Sequence, residues 1–149
     1  MDGRRRAALP LALGLWDSVG VANFWKQVFP SAAYTATHNT TPEANTDWRG
    51  LHLIVNVTAV GSGGSVTPVV NGYGPTSDDG TTVTGGVPYP LLTGLPITST
   101  GTTVLKVHPG IMAVPNGAAQ DFLPYIWFVE MQHANAVSIT YSVYALMES

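Results

Sequence analysis

Cysteine is absent from this 149-residue chain. That excludes a disulfide scaffold and a zinc site built on thiolates. Charge is scarce as well. Asp, Glu, Lys and Arg make up 10% of the residues, against roughly 25% in an ordinary soluble domain. A surface this poor in charge is either solubilised by Thr, Ser and Asn or covered by neighbouring chains, and we read it as pointing to assembly. Basic residues are few and lopsided. Arg4, Arg5 and Arg6 are half of the six Lys and Arg, and after Arg49 only Lys106 remains. A nucleic-acid surface needs a basic face to neutralise phosphates, and the body of the chain has none, so sequence-specific nucleic-acid binding is not expected. The apolar runs fall short of the roughly 20 residues that cross a bilayer, so no membrane partner is expected either. Heptads and internal repeats are also missing.

Against these absences stands a hydrophobic share of 45%, enough for the core of one domain of this length. It is arranged as strands. Near the C-terminus Val137, Ile139, Tyr141, Val143 and Ala145 alternate with Ser138, Thr140, Ser142 and Tyr144. That period of two marks a half-buried strand, because successive side chains leave opposite faces of the pleat. Residues 122–133 are apolar on both faces around Trp127, the pattern of a strand between two layers. A polar turn at His133-Ala134-Asn135 joins the two, so a C-terminal β-hairpin is expected.

Upstream, Leu51, Leu53, Val55 and Val57 alternate with His52, Asn56 and Thr58. Gly61-Ser62-Gly63-Gly64 reads as a turn. Residues 66–73 form a third strand, which Pro68 places at a sheet edge. Residues 87–92, with Pro88 and Pro90, read as an edge strand or a loop. Residues 102–107 form a strand with Thr103, Leu105 and Val107 on one face, closed by Pro109-Gly110. Residues 34–38 suit an edge strand, and 39–47 and 111–120 read as loops. The expected fold is all-β: an antiparallel β-sandwich or barrel-like domain of about 6–8 strands over residues 31–149.

Residues 1–30 read as an N-terminal arm. Arg4-Arg5-Arg6 followed by a short apolar run has the outline of a secretory signal, but no clear small-x-small cleavage register follows. Leu11, Leu13, Leu15 and Trp16, then Phe24, Trp25 and Phe29, are too apolar to be left in water. Val21, Phe24, Trp25 and Val28 have i, i+3, i+4, i+7 spacing, which predicts a short helix over 18–28. Asp17 or Ser18 would cap it and Pro30 would end it. The arm is therefore expected to be extended or partly helical and to dock on a neighbouring chain. Its candidate partner-binding residues are Arg4, Arg5, Arg6, Leu11, Leu13, Leu15, Trp16, Phe24, Trp25 and Phe29. Trp48 and Arg49 join them as a docking pair, since both types are enriched at interface hot spots.

Catalytic and metal signatures are weak. His38, His52, His108 and His133 are dispersed, without H-x-H or H-E-x-x-H spacing, and His52 falls on the outward face of its strand. Asp78-Asp79-Gly80 lacks the other ligands of a calcium loop and reads as a turn. No Gly-x-Ser-x-Gly elbow or phosphate-binding loop is present. Asp121 and Glu130 are isolated acids, whereas glycosidase chemistry needs an opposed pair, and Asp121 reads as capping a turn before Phe122-Leu123-Pro124. No cofactor, no metal and no enzymatic activity are expected. Trp16, Trp25, Trp48 and Trp127 with six tyrosines leave a carbohydrate site as an alternative, with Trp127 assigned to the core.

Four ordered segments carry a resemblance. Arg49-Gly50 opens the apolar strand Leu51-His52-Leu53-Ile54-Val55. Thr102-Thr103-Val104-Leu105-Lys106-Val107 ends in Pro109-Gly110. Leu123-Pro124 introduces a segment with Trp127, and Ser138-Ile139-Thr140-Tyr141-Ser142-Val143 closes the domain. In this order and spacing they resemble a family of small tailed-bacteriophage virion proteins, found among head and head-to-tail structural proteins. The resemblance covers roughly residues 31–146. It departs at Tyr125 and Phe128, where related sequences often carry basic residues, and at residues 72–78, where the family's Gly-x-Asp-Pro-x-Ser-Gly turn is replaced. The resemblance implies a non-enzymatic virion protein made in the bacterial host cytoplasm, most simply a capsid decoration protein. Its partners would be the major capsid protein and sibling copies. A tail or head–tail junction component is the alternative within virions. A carbohydrate-binding receptor tip and a hydrolase using Asp121 or Glu130 are the alternatives outside that class.

Overall fold

The computed structural model describes residues 23–74 and 86–149. Within them the chain is all-β, with no helix, and folds into two facing sheets rather than a closed barrel. Its ten strands are β1 (Phe24–Tyr34), β2 (His38–Asn39), β3 (Glu43–Ala44), β4 (Gly50–Val60), β5 (Val66–Tyr73), β6 (Pro88–Thr93), β7 (Gly101–Val107), β8 (Ala118–Ala119), β9 (Ile126–His133) and β10 (Ile139–Glu148). The first sheet runs β1-β10-β4-β7-β8, and the second runs β2-β9-β5-β6, with β3 also on β9. All pairings are antiparallel except β7 with β8.

The core follows from the alternations. Leu51, Leu53 and Val55 on β4 and Ile139, Tyr141, Val143 and Ala145 on β10 are wholly buried on the inner face of the first sheet. Val66 and Val70 on β5 and Trp127, Val129 and Met131 on β9 meet them from the second. The intervening residues of β4, His52, Ile54 and Asn56, are half-buried on the outer face. Backbone pairing satisfies the peptide groups, and the apolar faces meet across the layer, as an aligned sandwich requires.

Several expectations change. The C-terminal run is not a hairpin: β9 pairs with β5, β2 and β3, whereas β10 pairs with β1 and β4. The residues after His133 carry the chain from one sheet to the other. A hairpin would set the apolar faces of β9 and β10 side by side, whereas the arch sets them face to face, so each buries the other. The helix expected over 18–28 is absent in its described part. From Phe24 the chain is β1, held on β10 in the register Phe24↔Met147 to Gln27↔Tyr144. Pairing with β10 overrides a helical spacing that extended backbone also tolerates. Pro30 does not end an element. It sits inside β1 between Phe29↔Val143 and Ala32↔Tyr141, where the register shifts. The boundary expected at residue 30 therefore falls within a strand of the domain.

Pro68 does not mark an edge either, because β5 lies between β9 and β6. Val66 exchanges both backbone bonds with Ile97, and Pro68, two residues on, faces the same side and accepts Gly94 N–H at 2.8 Å. Only the N–H that proline lacks is missing from this side of the strand. The edge expected for 87–92 is found as β6. The strand expected over 34–38 is split, with Tyr34 closing β1 and His38 opening β2 on the other sheet. Residues 39–47 hold β3, and residues 111–120 hold β8.

Candidate functional site

The end of the sandwich where β1 begins is the richest surface. Asn45 organises it. Its amide NH₂ donates to the carbonyls of Trp48 (2.7 Å) and Leu123 (2.9 Å), and its side-chain oxygen accepts Trp48 N–H. Its own N–H donates to Tyr125 O. Arg49 N–H donates to Glu148 O and Arg49 O accepts Leu123 N–H, each at 2.9 Å or less. One asparagine and one backbone step thus bind the 45–49 turn to the 122–125 segment and to the end of β10. This holds five aromatic residues at one pole. Phe24 stacks on Trp48 with ring centroids 6.1 Å apart. Phe24, Trp25, Phe122 and Tyr125 are 48%, 57%, 62% and 51% exposed. Exposed aromatics gathered beside an exposed Arg49 have the composition of an interaction surface.

The partner-binding residues read from the sequence divide here. Phe24 and Trp48 come together although they are 24 positions apart, and Trp25 and Arg49 follow them directly in the chain. Trp48 is half-buried and packs on the core as well as on Phe24. Phe29 is a correction: it is 6% exposed and packs edge-on to Tyr34 and Tyr141 between the sheets, so it is unavailable to a partner. Val28 before it is partly buried against the core and Pro30 after it is exposed, and the register shift before Phe29 turns its ring inward. Arg4, Arg5, Arg6, Leu11, Leu13, Leu15 and Trp16 lie outside the described residues, as does Asp78-Asp79-Gly80. Phe122 and Tyr125 were missed because they sit in the apolar run leading to Trp127. The signal was Pro124, which delays β9 to Ile126 and leaves both outside the sheet.

The acids do not converge. Asp121 accepts the N–H of Phe122 at 2.8 Å, a local turn bond, and Glu130 accepts from Gln132. No group of three or more His, Asp or Glu is placed to hold a metal among the described residues. His52 pairs with Glu148 at 3.4 Å on the outer face. An open groove of about 520 Å³ lies between Leu91 and Leu92 of β6 and residues 113–121.

The opposite pole is closed by aromatic rings. Tyr34 and Tyr141 stack with centroids 4.4 Å apart, His38 packs edge-on to Tyr34, and His133 Nε2 lies 3.2 Å from the Tyr141 hydroxyl. His133 Nδ1 is buried with no partner among the described residues. Burial pulls the His133 pKa below its ordinary 6.5, and the charge on His38 lowers it further. Burial, with Tyr34 adding to it, raises Tyr141. A depressed histidine favours its neutral form in the fold. Its contribution to stability is therefore present above about pH 6.5 and is lost as the pH falls through the folded-state value. Urea unfolding between about pH 5 and 8 is expected to show stability falling on the acid side. His133→Gln should flatten that fall, whereas an unchanged slope would place the titration elsewhere.

Comparison with known families finds no family model that matches the chain, and comparison with curated proteins finds no matching sequence.

Proposed function

We propose that this protein is a non-enzymatic structural component of a tailed-phage virion, most simply a decoration protein that seats on the assembled head. The observation that carries the reading is the aromatic pole. It lies where β1 begins, and the sequence that leads into β1 is itself rich in apolar side chains. The resemblance of the four ordered segments to small phage virion proteins and the low charge support the same reading.

The mechanism would be area burial. Apolar surface removed from water contributes about 25 cal/mol per Å² before ordering costs. Many copies on one lattice add avidity. Arg4, Arg5 and Arg6 would pair with acidic residues of the shell.

The test is co-sedimentation of the purified protein with assembled heads and, separately, with tails, alongside a form lacking residues 1–22 and a Trp25→Ala/Phe122→Ala variant. Saturable binding to heads, lost without the arm and weakened at least tenfold in the double variant, is expected. Binding to tails alone would move the protein to the tail or junction. Binding to neither would overturn the virion reading and leave the carbohydrate alternative, which a glycan array with and without Trp48→Ala would examine.

A further inference from the structure

The sheet edges differ in how well they are guarded. Strand edges carry unpaired N–H and C=O groups and attract further strands unless they are shortened, bulged or interrupted by proline. In the first sheet β8 is two residues long. In the second, β2 and β3 are two residues each, and β6 contains Pro88 and Pro90. β8 covers only Lys106 and Val107 of β7, which leaves Gly101 to Leu105 as a shorter open stretch, and β1, at eleven residues, is the longest edge strand. Its second half is guarded by Pro30 and by register shifts on either side of Phe29. Its first half is not. Phe24, Trp25, Lys26 and Gln27 keep unbroken register with Met147, Leu146, Ala145 and Tyr144. No backbone bond from another described segment reaches their outer side. An edge lysine is normally a guard too, but Lys26 is held by Glu43 of β3, which neutralises it.

We propose that this half-strand pairs with the same half-strand of a second copy, antiparallel about a two-fold axis at Trp25, joining the two first sheets into one. The register follows from side-chain direction. Paired residues must share a face, so an axis through the edge has to pass through a residue. An axis at Lys26 would oppose two lysines. An axis at Trp25 opposes Trp25 to Trp25 of the second copy on the outer face, where aromatic pairs across strands are favourable. It also sets Phe24 opposite the aliphatic stem of Lys26 of the second copy, whose ammonium stays with Glu43. An isologous contact of this kind closes at two copies instead of propagating. Five residues a side bury well under the roughly 1,200 Å² of a stable interface. The dimer is therefore weak in dilute solution and becomes populated at high protein concentration. This pairing is independent of the virion reading.

A chain without cysteine makes the test clean. Directly opposed residues of an antiparallel pair have Cα atoms about 4.5–5.5 Å apart, within disulfide reach, whereas positions offset by two lie about 7–8 Å apart. Under mild oxidation Trp25→Cys is expected to give a covalent species of twice the 15.7 kDa monomer mass. Phe24→Cys and the remote control Ser62→Cys should stay monomeric. In sedimentation velocity the unmodified protein should associate reversibly at high concentration, with Trp25→Lys weakening association at least tenfold. Trp25 is exposed, so neither variant should disturb folding, which circular dichroism would check. A Trp25→Cys protein that stays monomeric, or that cross-links no more than Ser62→Cys, overturns the proposal. So does self-association unchanged in Trp25→Lys.

Discussion

Trp127→Ala is expected to destabilise the protein by about 3–5 kcal/mol, the range for removing a large aromatic from a packed core. Trp127 is 1% exposed on β9 and lies in the core cluster with Val129 and Met131. Its register partners are Gly72 of β5 and Glu43 of β3. Truncation leaves a cavity that neighbours fixed on three strands cannot collapse into. Against a total of about 5–15 kcal/mol for a domain, the loss amounts to a large share of the stability. Urea denaturation followed by tryptophan fluorescence would measure it, with Trp25→Ala as the exposed comparison, expected within about 0.5 kcal/mol of the parent. Equal effects at the two positions would contradict the placement of Trp127 between the sheets.

Gly50→Val is expected to cost about 2–3 kcal/mol, the overpacking range. Gly50 is buried where β4 begins. A Cβ there would enter the His108 ring and stand 2.8 Å from the carbonyl oxygen of Val107. The ring has some freedom, but the carbonyl belongs to β7, whose register with β4 is continuous from Leu51↔Val107 to Val57↔Gly101. The strands must part or shift to admit the side chain. Gly63 offers the contrast. Its φ is +76°, and a Cβ there meets nothing within 4 Å, so substitution strains the turn without crowding it. A urea midpoint for Gly50→Val that matches the parent would refute the close approach.

This glycine shows how much of the fold was legible. Arg49-Gly50 stood out as the opening of an apolar strand, and β4 does begin at Gly50. Why a glycine is needed was not legible, because the His108 ring and the Val107 carbonyl arrive from residues more than fifty positions away. The aromatic pole divides in the same way. Trp48 and Arg49 were marked by residue type, whereas Asn45, which ties them to the 122–125 segment, looked like an ordinary loop residue.

Which residues of β4 and β10 face inward was written in the sequence by itself. Leu51, Leu53, Val55 and Val57 on β4, and Ile139, Tyr141, Val143 and Ala145 on β10, alternate with neighbours that are polar except for Ile54, and are buried as that alternation requires. The pleat makes side-chain direction a local property, so four or five residues suffice to read it. Tertiary structure alone decided which strand lies beside which. β9 and β10, nearly adjacent in sequence, took partners in different sheets, Pro68 went to an interior strand, and Phe29 turned inward while Trp25 stayed outside. Every strand offers the same backbone donors and acceptors on both of its edges. The choice of partner is therefore settled by which arrangement buries the most apolar faces at once, a property of the whole chain that no window of its sequence contains.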